Sequence, residues 1–217
     1  MQVLFVQNPR ARRYLLRLRR DGVARVTIPR GGSMRTAQMF VERHTAWLER
    51  QWQRIATEPV EPVAWHLGTH ILFRGQHVRL EEGAVPGIVQ FGTERIRVAD
   101  ASLDLRPKVE AYLRRLANRE LPVRVIEWAA VYQLSFRKVT VRNQRSRWGS
   151  CSRRGTISLN WRLIQTPESV LDYIILHELM HLREMNHSKR FWREVESVCP
   201  DYPAAERWLK QNAKLLR

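Results

Sequence analysis

The sequence predicts an α+β protein. A β-hairpin and meander region with one long helix is expected over residues 1–103, followed by a helical domain with a small antiparallel sheet over residues 104–217. Three observations predict this division. Short alternating apolar runs separated by Gly, Asp and Pro fill the first half, which is the pattern of strands and tight turns. Apolar residues then recur at three- and four-residue intervals in most of the second half, the period of helices packed on a core. A shift in composition near residue 100 gives the boundary. The length of 217 residues and 44% hydrophobic content suit one compact domain or two small ones.

Residues 14–28 read Y-L-L-R-L-R-R-D-G-V-A-R-V-T-I, two alternating runs joined by Asp21-Gly22, a hairpin with arginines along one face. Ser33 caps a helix expected over about residues 34–55, with Met39, Phe40, Trp47, Leu48 and Ile55 as its apolar stripe. Two prolines stiffen the connector at residues 58–62, and strands are expected at 70–73, 77–80, 87–91 and 95–98. His66, His70 and His77 lie among them without a clustered acid or cysteine, and read as ordinary strand and loop histidines. A helix from about Asp104 carries Val109, Tyr112, Leu113 and Leu116, and a second one is expected after the break at Pro122.

From residue 136 the character changes. Residues 138–142 and 156–163 read as strands, and residues 143–155 between them as a polar loop with Arg145, Arg147, Arg153 and Arg154 and no acid. Arg145, Arg147 and Trp148 there, with Asn160 on the following strand, are candidate substrate-binding residues. Guanidinium forks, an aromatic surface and free backbone N–H groups suit a carboxylate, a phosphate or a base. The competing reading is a tight turn with its arginines in water. The strand at 156–163 is expected to line the cleft and pair with an extended substrate. Cys151 has no neighbouring base and reads as packing.

Residues 174–187 read I-I-L-H-E-L-M-H-L-R-E-M-N-H. Side chains four apart share a helix face, so His177 and His181 can hold two corners of a tetrahedral zinc site. Glu178 then sits beside the metal, where its carboxylate can take a proton from water whose pKa zinc lowers to roughly 7. Thr166 is expected to cap this helix with Pro167 at its first position, and Asn186 to supply a left-handed turn that brings His187 back as the third ligand. Glu194 and Glu196 are the alternative third ligands. Ser188 caps a helix through Phe191, Trp192, Val195 and Val198, and a basic helix follows Pro203.

The formal charge of +17 calls for an anionic partner such as nucleic acid, or reflects an arginine-rich composition alone. The short apolar run at residues 3–6 falls short of a signal peptide, no stretch is long enough to span a bilayer, and there are two cysteines. A cytoplasmic monomer without membrane attachment is therefore expected.

Three functions compete on these residues. A zinc peptidase would use one zinc ion and Glu178 as base on a peptide or protein substrate. A nucleotide pyrophosphohydrolase would add the loop arginines as a phosphate clamp. A nucleic-acid-binding protein would use the zinc structurally, but such sites are normally closed by four protein ligands.

The stretches Ser146-Arg147-Trp148-Gly149-Ser150-Cys151, Leu159-Asn160-Trp161-Arg162-Leu163, His177-Glu178-Leu179-Met180-His181-Leu182 and Asn186-His187-Ser188, with Phe191-Trp192, occur in this order. In this combination the chain resembles the YgjP-like metallopeptidase family, related to the SprT-type proteins. The resemblance implies a zincin-like catalytic domain, zinc held by His177, His181 and His187, and Glu178 as general base.

Overall fold

A computed structural model describes residues 2–19, 21–57 and 63–216. The protein is mixed α+β and divides into two compact units, Met1–Val63 and Ala64–Arg217. The connector expected at 58–62 lies outside the described residues.

In the first unit, β1 (Val3–Gln7), β2 (Leu15–Leu18) and β3 (Ala24–Ile28) form a sheet in the order β1-β3-β2. β2 and β3 make the hairpin read from the sequence, with Arg17 opposite Arg25. β1 adds a parallel edge to β3 that its short apolar run did not announce. At the hairpin turn Gly22 adopts φ +81°, and a Cβ there would lie 2.3 Å from the Trp52 ring, so both the turn and the close approach require glycine.

The single long helix expected next is two helices, α1 (Met34–Arg43) and α2 (Thr45–Thr57). Ser33 caps α1 through the Thr36 N–H as read. The break at His44 has a local cause. Its Nδ1 bonds the Phe40 carbonyl at 2.7 Å, and the Thr45 hydroxyl donates to the Glu42 carbonyl at 2.9 Å, so side chains take acceptors at the helix end.

The second unit begins with the hairpin β4 (His70–Phe73) and β5 (Gln76–Arg79). The strands β6 (Glu81–Glu82), β7 (Ile88–Phe91) and β8 (Glu94–Arg97) follow in that spatial order. These strands belong with the helices, so the division differs from one at residue 103. Ile71, Phe73, Val89, Phe91 and Ile96 share one core with Val109, Leu113 and Leu116. The Gly75 N–H and the Leu72 carbonyl also bond Gln165, far along the chain.

α3 (Arg106–Val131) runs unbroken through Pro122, where the sequence reading placed a break. Val109, Leu113, Leu116, Ala117, Leu121, Val125 and Ala129 are all buried along it. A proline inside a helix costs about 3 kcal/mol, whereas each large apolar side chain buried contributes about 1.5–3 kcal/mol. The continuous stripe outweighs the proline.

β9 (Lys138–Arg142), β10 (Gly149–Cys151) and β11 (Thr156–Asn160) form a sheet in the order β10-β11-β9. β9 is parallel to β11 and β10 antiparallel, so the sheet is mixed rather than antiparallel. Residues 143–148 carry the chain past β11 before the tight return at 152–155. The second strand ends at Asn160, and Trp161–Gln165 form a 3₁₀ turn.

Three helices complete the unit, α4 (Glu168–Met180), α5 (Lys189–Val198) and α6 (Tyr202–Asn212). Thr166 does not cap α4. Its hydroxyl donates back to the Leu163 carbonyl at 2.8 Å, and Pro167 takes the cap position. Among the described residues no helix is long and apolar enough to cross a membrane.

One polar clamp fixes α4 against α3. Arg124 grips Asp172 with two bonds of 2.7 Å, reaches Glu168 at 2.8 Å and stacks on Trp128, whose indole N–H also donates to Asp172 at 2.8 Å. The bidentate carboxylate holds the Arg124 pKa above its ordinary value. Asp172→Ala removes three bonds to a carboxylate, two of them from a guanidinium, and is expected to cost about 2–3 kcal/mol. Urea unfolding would read this as a lower midpoint with an unchanged slope.

Candidate metal centre

α4 is apolar on nearly every side, with Val170, Tyr173, Ile174, Ile175, Leu176, Leu179 and Met180 buried. The Arg124 clamp on Asp172 sets its rotation, and the polar residues of its last turn are held in place with it. His177 lies on α4 and His181 at its C-terminal end, so both histidines leave the same helix end. The chain then turns through residues 181–187 to the Ser188-capped start of α5. Asn186 is absent from the left-handed residues. The reversal is made instead by a bend in which the Ser188 N–H donates to the Asn186 carbonyl.

This bend brings His187 to the other two histidines. His177, His181 and His187 each offer a ligand atom, and these atoms lie within 4.8 Å of one another. Nε2 of His177 is 3.1 Å from Nε2 of His187. Nδ1 of His181 donates to the Glu184 carbonyl at 3.0 Å, which fixes the ring and leaves Nε2 for a ligand. Nitrogens at about 2.0–2.1 Å from one tetrahedral zinc stand about 3.3 Å apart, so the donor set fits that ion. Among the described residues this is the one such cluster, and it contains no carboxylate. Glu194 pairs with Arg183 at 2.8 Å, and Glu196 is exposed.

Phe191, fully buried on α5, packs against all three imidazoles. It stacks on His181 with centroids 4.4 Å apart and meets His177 and His187 at 4.9 and 4.8 Å. In the sequence it read only as part of the α5 apolar stripe. Its place four residues after a candidate ligand was the available signal.

Glu178 is buried beside this group, and its Oε2 has no hydrogen-bond partner among the described residues. Burial pushes its carboxyl up to about 8, opposed by the Arg147 charge and by the Cys151 backbone N–H, which donates toward it. Burial, with the charges of His181 and His187, pulls His177 down to about 4. The same burial pushes the Cys151 thiol up to about 11, which agrees with a packing role. A neutral imidazole is the form that binds a metal.

The second approach to Glu178 comes from the sheet. The pairs Trp148/Asn160 and Ser152/Thr156 are hydrogen-bonded. Antiparallel alternation then directs the N–H and C=O groups of Gly149 and Cys151 away from β11. β10 is thus the strand with an open edge beside Glu178. β11, expected to pair with substrate, has β9 and β10 on its two sides and no edge to offer. A three-residue strand inside an arginine-rich loop carries too little pattern to be read in advance.

Gly149 permits this approach. A Cβ there would lie 2.5 Å from Oε1 and 2.6 Å from Cγ of Glu178. Glycine inside a strand signals such contact. Gly149→Ala is expected to displace the carboxylate and lower kcat/KM for any reaction that uses it by about 100-fold, with metal stoichiometry retained. Steady-state kinetics alongside metal analysis would separate the two.

The other candidate residues divide. Arg147 is exposed and near enough to Glu178 to act on its charge. Trp148 is half-buried against the core, and Arg145 is exposed. Asn160 is buried and holds the loop itself. Its amide donates to the carbonyls of Gln144 and Arg147 at 2.8 and 3.1 Å and accepts from the Arg162 N–H at 3.2 Å.

Three converging imidazoles beside a buried carboxylate, set in an α+β scaffold, define a metallohydrolase. The family model for the YgjP-like metallopeptidase domain matches residues 12–212, and the chain belongs to that family. Comparison with curated proteins finds no match. Among solved structures, the chain is similar to the metallopeptidase zymogen abylysin of Pyrococcus abyssi. The two are 30% identical, with 45% of this chain and 96% of that one covered and a TM-score of 0.38. It is also similar to the metallopeptidase zymogen jannalysin of Methanocaldococcus jannaschii, at 26% identity, 45% and 98% coverage and a TM-score of 0.37.

Proposed function

We propose that the protein is a zinc-dependent peptidase of zincin-like arrangement, in which His177, His181 and His187 hold one zinc ion and Glu178 is the general base. The observation that carries this reading is the meeting of three imidazole nitrogens within 4.8 Å beside a buried carboxylate oxygen without a partner. A zinc ion held there would supply Lewis acidity toward a scissile carbonyl and lower the pKa of its water from about 16 to about 7.

The chain's own groups do the rest. Glu178, buried and with one carboxylate oxygen unpartnered among the described residues, can accept a proton from water and then deliver it to the leaving amine. Gly149 and the Cys151 carbonyl offer the open edge of β10 to an extended peptide, which adds as a further strand, while the Cys151 N–H is taken by Glu178. Arg147, whose charge acts on Glu178, would meet charge that develops at the reacting carbonyl, with Trp148 and Arg145 next to it in the same loop, and Asn160 sets the path of that loop.

The direct test is a peptide library incubated with zinc-loaded protein. Cleavage is expected, with loss on chelation and recovery when zinc is returned. An intact library at full zinc occupancy would overturn the reading.

A further inference from the structure

We infer that the outer face of the β10-β11-β9 sheet is a docking surface for the phosphate backbone of a nucleic-acid duplex. Glu178 meets the opposite, inner face of this sheet at Gly149, so the two surfaces are distinct.

Strand alternation assigns the side chains to the two faces. Val139 and Val141 on β9 and Ile157 and Leu159 on β11 join the core. Lys138, Thr140 and Arg142 on β9, Thr156 and Ser158 on β11 and Ser150 on β10 therefore point outward. Two contacts agree with this assignment. The Thr140 and Ser158 hydroxyls lie 2.9 Å apart, and Nε of Arg142 donates to the Thr140 hydroxyl at 3.4 Å, which lays the guanidinium along the face. The register sets Ser150, Ser158 and Thr140 in one row across the three strands. Lys138 and Arg142, both exposed, flank that row on the same strand with their Cα atoms about 13 Å apart.

Every charged residue from 128 to 167 is Arg or Lys, so the segment that builds the sheet supplies no acid to its own face. Neither Lys138 nor Arg142 has an ion-pair partner among the described residues. Positive charge without a local counterpart attracts an anionic partner.

The chemistry of the face selects that partner. All six outward side chains are polar, whereas the centre of a protein–protein contact is apolar and poor in charge. Surfaces that bind nucleic acid are polar and positive. Hydroxyls, lysine and arginine are the side-chain groups that bond phosphate oxygens. With Thr140 donating to Ser158, the Ser158 proton is free for such an oxygen. None of the six side chains is aromatic, whereas surfaces for single strands stack bases on rings. The occupant that fits is a duplex held by its backbone, without sequence preference.

The test is fluorescence anisotropy of a labelled short DNA duplex with the full zinc-loaded chain over a range of salt concentrations. Binding is expected, with equal affinity for two unrelated sequences. Lys138→Gln/Arg142→Gln is expected to lower the slope of log K against log salt by about 1.8, since each phosphate contact contributes about 0.9. Thr140→Val removes a hydroxyl and no charge, so it is expected to weaken binding about threefold or more with the slope unchanged. The control Arg207→Gln/Lys210→Gln removes two exposed cations of α6 and leaves the slope at the wild-type value. No duplex binding, an equal loss of slope in the control, wild-type affinity in Thr140→Val or tighter binding of the single strand overturns the surface. So does displacement of the duplex by polyglutamate of equal charge, which would make the occupant an acidic protein. Peptide cleavage persists in all three variants, and none of these outcomes bears on the peptidase reading, which uses other residues.

Discussion

Glu178→Gln is expected to lower peptide cleavage by at least about 100-fold, the contribution of a positioned general base, while zinc stoichiometry stays at the wild-type value. Glutamine keeps the shape of the side chain and can accept from the Cys151 N–H, but it cannot take a proton from water. A second readout separates a lost base from a damaged site. In the chelated protein the Glu178 carboxyl is raised from its ordinary 4.5 to about 8 by burial. The folded state therefore binds more protons than the unfolded chain between those values. Stability from this group falls as pH rises through that window, and the full penalty stands above about pH 8. Glutamine has no such penalty. The chelated variant is expected to be more stable than the chelated wild type at pH 8, by up to a few kcal/mol, and the difference should close toward pH 4.5. Urea unfolding at several pH values checks it. Undiminished cleavage by the variant would exclude Glu178 as the base.

The difference between what the sequence carried and what it did not follows from the range of the interactions. His177, Glu178 and His181 were legible because helical spacing is local and the surrounding apolar residues mark the helix as buried. Ser33 and Ser188 were legible as caps for the same reason, since each bonds an N–H three residues on. The failures were contests between a local rule and a distant contact. Pro122 breaks a helix in isolation, but the buried stripe on both sides of it holds α3 straight. Thr166 is a good cap by type, but the 3₁₀ turn before it offers a nearer carbonyl. The stacking of Phe191 on His181 and the contact of Gly149 with Glu178 join segments far apart in the chain. No pattern within either segment encodes them. The meander was legible strand by strand, whereas its membership in the second unit depends on Gln165, some ninety residues away.

His187→Ala is expected to have the other large effect, because His187 is the proposed ligand that no helical spacing supplies. It reaches the site through the bend at 181–187 and is exposed, while His181 is buried. Its ring is held by contact with Phe191 at 4.8 Å and by the approach of its Nε2 to His177. Changing a residue that only orients a metal ligand typically costs 10–100-fold in affinity or activity. Removing the ligand itself should therefore cost more than about 100-fold in zinc affinity, and cleavage should fall with it. A ligand that binds only the folded state raises stability in proportion to the logarithm of its concentration over Kd. The zinc-dependent rise in Tm should accordingly shrink in the variant, while the chelated proteins melt alike. Glu194→Gln provides the contrast. That carboxylate is engaged with Arg183 at 2.8 Å, so its loss should cost under about 1 kcal/mol and leave zinc binding and cleavage near wild type. Full zinc occupancy in His187→Ala together with its loss in Glu194→Gln would move the third ligand onto α5.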